Sequence, residues 1–241
     1  MRLPGRGRHG ASHRPNLTRT LACATAAPCS PRHSPPHLAT PRHAPPRPAT
    51  LRPVPPRRPR AGNGYVEAAL RLARAADPKA LLFINEYGAE DMGPKSERMY
   101  GLVKDLKARG VPLDGVGLQA HSSIHGYANA TQVAQNIARL GALGLQVHVT
   151  ELDCECPPKY CNASDPNDPG FATQARIYGD LLEACLNNTG VCTGFSTWGF
   201  TDKYSWTNEW CMGNDCQSLP FDRNYTAKSA FNEMLAVLNN A

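Results

Sequence analysis

The first sixty residues contain no lysine, no aspartate or glutamate, and no phenylalanine, tyrosine or tryptophan. Without acids the segment cannot neutralise its 12 arginines internally, and without aromatic rings it has nothing to stack on nucleic-acid bases. It also holds 14 of the 22 prolines, which excludes central parallel strands and leaves too little apolar surface to offset the entropy of ordering. Residues 1–62 therefore read as a disordered, low-complexity basic segment, separate from a folded part over 63–241. A ten-residue repeat runs through it, PRHSPPHLAT at 31–40 and PRHAPPRPAT at 41–50, with a decayed third copy at 51–60. A basic arm suits an anionic surface in principle. Lacking aromatics, it reads as a linker or translated repeat, and no nucleic-acid partner is expected.

No stretch approaches the roughly 18 consecutive apolar residues of a membrane span, so no membrane partner is expected. The apolar run at 21–27 is too short and too polar for a convincing signal peptide, although arginines precede it. No Cys-x-x-Cys pair and no neighbouring histidine pair accompanies Cys154, Cys156, Cys161, Cys211 and Cys216, which argues against zinc. No metal or organic cofactor is expected.

What is present points elsewhere. Beyond residue 60 the remaining 14 lysines and arginines face all 20 acids, so that part carries a net charge of −6 and the overall +6 misleads. Seven of the nine cysteines lie between Cys154 and Cys216, and glycosylation sequons occur at Asn16, Asn129, Asn162, Asn187 and Asn224. A loop-rich cysteine cluster of this kind favours disulfides and a secreted protein.

From residue 64 helix and strand signals alternate. Val66, Ala69, Leu70 and Ala73 make an apolar stripe for a helix over 64–76, and Met99, Leu102, Val103 and Leu106 do the same over 96–109, stopped by Gly110. Further helices are expected over 131–143, 172–187 and 227–239, with strands over 81–85, 115–119, 146–152 and 194–198. Four successive βα units imply a parallel sheet covered by helices.

The strand ends carry the chemistry. They read Asn85-Glu86-Tyr87, Gln119-Ala120-His121, Glu151-Leu152-Asp153 and Trp198-Gly199-Phe200. Strict alternation along the third strand places Glu151 and Asp153 on the face of Val147 and Val149, with Thr150 and Leu152 opposite. One polar strand end is unremarkable, and His121 alone would pass for a satisfied core histidine. Four such ends at one mouth describe a cleft in which amides and an imidazole bond hydroxyls while indoles stack on pyranose rings.

These residues resemble the retaining endo-β-1,4-xylanases of glycoside hydrolase family 10. The matching stretches are AADPKA at 75–80, FINEY at 83–87, GVGLQAH at 115–121, VTELD at 149–153, WGFTDKYSW at 198–206 and LPFD at 219–222. The resemblance implies an α/β (β/α)8 TIM-barrel fold of which only the last four βα units are present. It implies that Glu151 is the catalytic nucleophile, that His121 and Asp153 position and tune it, and that Asn85, Tyr87, Gln119, Trp198 and Trp206 meet the substrate. It also implies a Cys185–Cys192 bridge, leaving five cysteines near the cleft loops and hence one without a partner among them. The implied ligand is xylan or a related β-1,4-linked polysaccharide, bound by a monomer with no cofactor.

In that family the acid/base glutamate follows an asparagine at the end of the fourth strand, and nothing here matches that strand. Asn85-Glu86 aligns instead with the Asn-Asp-Tyr of the fifth, with Glu86 facing away from Asn85 and Tyr87. The expectation is therefore the C-terminal half of a xylanase barrel without its proton donor, or alternatively a non-catalytic carbohydrate-binding remnant. A different barrel glycosidase such as a cellulase would share the nucleophile, but the 198–206 segment argues for xylanase.

Overall fold

A computed structural model describes residues 64–163, 165, 167–211 and 215–241. The basic repeat, the expected boundary at 62/63 and the Asn16 sequon lie outside the described residues.

The chain opens with α1 (Gly64–Ala76), β1 (Phe83–Glu86), α2 (Pro94–Ala108) and β2 (Gly115–Leu118). There follow β3 (His121–Ser123), α3 (Ala130–Gly141), β4 (Gln146–Glu155), α4 (Pro169–Leu186), β5 (Cys192–Thr197) and α5 (Ser229–Asn239). Two short 3-10 turns, Asp202–Tyr204 and Trp206–Glu209, carry the segment between β5 and α5. All strand pairings within the sheet are parallel: β1 with β2, β2 with β4, β4 with β5, and β3 with the far end of β4. Parallel pairing requires crossovers, and the helices supply them.

Local chemistry sets the helix ends. The Asn129 side chain accepts from Gln132 N to start α3, and Asp168 accepts from Gly170 N and Phe171 N to start α4. With Pro169 at the first helical position, that cap moves the start of α4 three residues ahead of the expected Ala172. Gly110, in the left-handed region at φ 65°, ends α2 as its position predicts.

The second strand ends at Leu118, one residue short of the expected Gln119. Ala120 sits at φ 64°, so the chain steps aside and resumes as β3, which pairs His121 with Asp153 and Ser123 with Glu155. That added partner extends β4 to Glu155, and the segment 216–218 lies against its end through Cys154 N to Ser218 O (3.0 Å) and Cys156 N to Cys216 O (2.8 Å).

One expectation about the strands fails, that of parity. A register shift between Val149 and Leu152 lets Val147, Val149, Leu152 and Cys154 all enter the same apolar core. Glu151 and Asp153 therefore do not share the face of Val147 and Val149. Thr150, expected on the face opposite Glu151, meets the same Asn85 side chain that Glu151 does. The close approach of these groups requires a glycine at 117, where any side chain would collide with Asn85 and Thr150.

The core lies between the sheet and its helices, with Val103, Leu106, Val116, Ile137 and Leu152 fully buried. Cys185–Cys192 is bridged as the resemblance implies, and Cys156–Cys161 and Cys211–Cys216 are bridged as well. Among the described residues the cysteine left over is Cys154. It is a β4 core residue rather than a loop residue, and burial pushes its thiol pKa far up, so it behaves as a small apolar side chain. Asn129, Asn162, Asn187 and Asn224 are all exposed, as sequons must be to carry glycans.

Candidate active site

The C-terminal ends of β1, β2–β3 and β4 bring Asn85, His121, Glu151 and Asp153 together, and the 3-10 turn after β5 adds Trp206. His121 is wedged between the two carboxylates, with Nδ1 3.0 Å from Asp153 Oδ1 and Nε2 3.2 Å from Glu151 Oε2. Asn85 Nδ2 donates to Glu151 Oε1 at 2.5 Å, and Trp206 Nε1 donates to Asp153 Oδ2 at 2.7 Å. Every oxygen of both carboxylates is thus engaged. The Asn85 amide is itself oriented, since its Oδ1 accepts from Thr150 Oγ1 (2.8 Å), and that hydroxyl also reaches Leu118 O at 3.2 Å.

Glu151 is 8 % exposed and Asp153 1 % exposed, a placement that costs several kcal/mol per ion unless donors replace water. The imidazole is the shared donor. Burial is the largest single influence on His121 and pulls its pKa down, but hydrogen bonding and attraction from Asp153, with Glu151 adding to both, outweigh it and leave the pKa raised. A raised imidazole pKa contributes stability that is fully present below the unfolded value, about 6.5, and lost as pH rises through the folded value. The expected outcome is an NMR titration midpoint for His121 above that of a model histidine. The stability difference between the native chain and His121→Asn should shrink over the same window. A midpoint below 6.5 would show that burial dominates.

The other expected residues are placed less uniformly. Trp198 meets the edge of His121 at 6.5 Å between centroids and Trp206 at 5.1 Å, so the two indoles flank the imidazole with large exposed faces. Gln119 joins through its backbone, whose carbonyl accepts from Glu151 N at 3.1 Å. Tyr87 stands outside the hydrogen-bonded cluster, exposed, with the Lys95 ammonium 3.4 Å from its ring centroid. Glu86 pairs with that same lysine at 2.9 Å.

Two contributors have no signature in the sequence pattern. Thr150 escapes because strict alternation assigns it to the wrong face. Glu90 lies in an irregular turn, where its buried carboxylate accepts from Gly88 N (3.1 Å) and Ala120 N (3.0 Å) and so holds the left-handed step that precedes His121. Burial raises its pKa, with those amide bonds acting in the opposite direction. An open hollow of about 260 Å³ borders His121, Asp153, Glu155 and Trp206, giving a ligand access to the cluster.

A parallel α/β sheet whose strand ends gather two carboxylates, an imidazole and exposed indoles fits part of a (β/α) barrel. The comparisons give the particular family. Residues 56–237 match glycosyl hydrolase family 10, and the chain belongs to that family. It is 38% identical over 176 residues to endo-1,4-beta-xylanase C of Phanerodontia chrysosporium, an alignment covering 73% of this chain and 42% of that protein. Native xylanase 10B from Thermotoga maritima superposes with a TM-score of 0.67 at 35% identity, covering 74% of this chain and 53% of that one. Xylanase 10B from Thermotoga petrophila RKU-1, solved in complex with xylobiose, gives 0.66 at 36% identity, covering 73% and 52%. The chain thus spans about half the length of the relatives it matches, and its sheet is that of a partial family 10 barrel.

Proposed function

We propose that this chain supplies the nucleophile half of a retaining endo-1,4-β-xylanase. The observation that carries the reading is the engagement of both Glu151 oxygens, by the Asn85 amide and the His121 imidazole, in a site flanked by indoles. Glu151 attacks the anomeric carbon of a xylosyl unit, the glycosidic bond breaks, and a glycosyl–Glu151 ester forms that water later hydrolyses. His121 and Asp153 hold the carboxylate in place, Asn85 restrains its other oxygen, and Gln119, Tyr87, Trp198 and Trp206 contact sugar. No step requires a metal or organic cofactor. The three disulfides among the described residues suit an extracellular enzyme acting on xylan.

Departure of a sugar alkoxide also needs a proton, worth roughly 10² to 10⁴-fold. Among the described residues we assign no donor. Asp153 spends both oxygens on His121 and Trp206, and Glu86 is turned to Lys95. That commitment favours, for this chain alone, binding of xylo-oligosaccharides without turnover of xylan. The test is covalent labelling by a fluoro-sugar xylobioside bearing a good leaving group, which needs no protonation. The label is expected on the peptide containing Glu151 when the complementary N-terminal part of a family 10 domain is added. A label on another carboxylate would overturn the assignment, and xylan hydrolysis by the chain alone would show that it holds its own acid.

A further inference from the structure

Beneath Trp206 lies a buried polar network that no step of the chemistry uses. Lys228, immediately before α5, has a side chain only 10% exposed. Its ammonium spends all three protons inside the protein, on Asp202 Oδ2 (3.0 Å), Leu219 O (2.8 Å) and Gln217 O. Asp202 is equally committed, its Oδ1 accepting from Leu219 N at 2.7 Å and its main-chain carbonyl from Asn208 Nδ2 at 2.8 Å. These bonds clamp the two 3-10 turns, the second of which begins at Trp206, to the segment lying against the end of β4.

A second set of bonds reaches the same place independently. The residues on either side of Trp206 are buried hydroxyls, Ser205 and Thr207, joined to each other at 2.7 Å, and Thr207 is joined to Ser218 at 2.7 Å. Ser218 O in turn accepts from Cys154 N, the residue after Asp153. Asp153 and Trp206 are thus anchored to one short stretch from opposite sides, and the bond between them, from indole to carboxylate, closes the circuit.

We propose that Lys228, with Asp202 and Thr207, is a positioning residue that sets where the Trp206 indole stands, and through it both the sugar platform and the orientation of Asp153 against His121. The physical reason is cost. A buried ammonium and carboxylate tolerate few geometries, since any displacement leaves a charge without a partner. The turns therefore cannot drift, and an indole that is 40% exposed and meets the rings of His121 and Trp210 gains a fixed base. A wholly structural pair would stabilise the fold equally well from anywhere in the core.

The inference rests on the reading of Trp206 as a sugar contact, and the experiment separates the two. The chain has three tryptophans, so three indole N–H resonances are expected, and Trp206→Phe identifies one of them. The full-length chain is compared as Lys228→Met, as Thr207→Val, and as Leu106→Ala, the last being a fully buried α2 position remote from the network. Lys228→Met and Thr207→Val are expected to shift the Trp206 indole resonance and to weaken xylopentaose binding about tenfold, the scale of one misplaced contact. Leu106→Ala should change neither. If Lys228→Met does not fold, Thr207→Val decides. An unmoved indole in the folded variants, or an equal shift in Leu106→Ala, overturns the positioning role. Failure of the native chain to bind xylopentaose would instead refute the sugar-contact reading, while the indole resonance still judges the clamp.

Discussion

Glu151→Ala, in a chain complemented with the N-terminal part of a family 10 domain, is expected to lose at least ~10⁴-fold in hydrolysis of an aryl xylobioside and to take up no fluoro-sugar label. Removing the nucleophile removes the covalent route altogether, whereas removing a positioning group only degrades its geometry. Asp153→Asn should thus fall short of that loss, because Glu151 retains Asn85 on one oxygen and the imidazole on the other. A loss in Glu151→Ala that merely reported misfolding would be silent to added nucleophile. A true chemical loss should be partly restored by azide, which fits the vacated space, attacks the anomeric carbon from the same side and leaves an α-glycosyl azide. No azide product and a changed thermal transition together would argue that the alanine damages the fold rather than the chemistry. Retained labelling in Glu151→Ala would place the nucleophile elsewhere.

The site was legible wherever residue identity alone carried the information, and obscure wherever backbone geometry did. Asn85, His121, Glu151 and Asp153 stand at strand ends that hydrophobic periodicity locates to within a few residues, and they do meet. That Glu151 and Asp153 reach the cluster through a register shift could not be read from alternation, because a bulge changes parity without changing composition. The same shift hid Thr150. The left-handed step at Ala120 was hidden too, since alanine is a poor marker of positive φ. What enforces it is Glu90, thirty residues earlier, through a single amide bond. Among the cysteines, counting gave one without a partner in the cleft group, but only packing shows that Cys154 lies in the strand and is occupied by the core. The resemblance makes Trp206 a sugar contact. Its bond to Asp153 crosses 53 residues and depends on the network below it.

Asp202→Ala alone is expected to destabilise the chain by about 3–5 kcal/mol, and Lys228→Met alone by a similar amount, while the double variant should cost far less than the sum. Each single change leaves one buried ion without its ion-paired partner: the Lys228 ammonium with two carbonyls, or the Asp202 carboxylate with one amide. Burial, as the largest influence, already lowers the lysine pKa and raises that of the aspartate, so each ion persists through its partner. Removing both removes the desolvation penalty together with the attraction. Urea unfolding of the four chains gives the coupling directly. A coupling near zero would mean that water reaches the pair and screens it. In that case the circuit from Lys228 to the Trp206 indole would lack the rigidity on which the placement of Asp153 depends. A large coupling with an unmoved indole in Lys228→Met would mean that the pair stabilises the barrel wall and that Asp153 alone holds the ring.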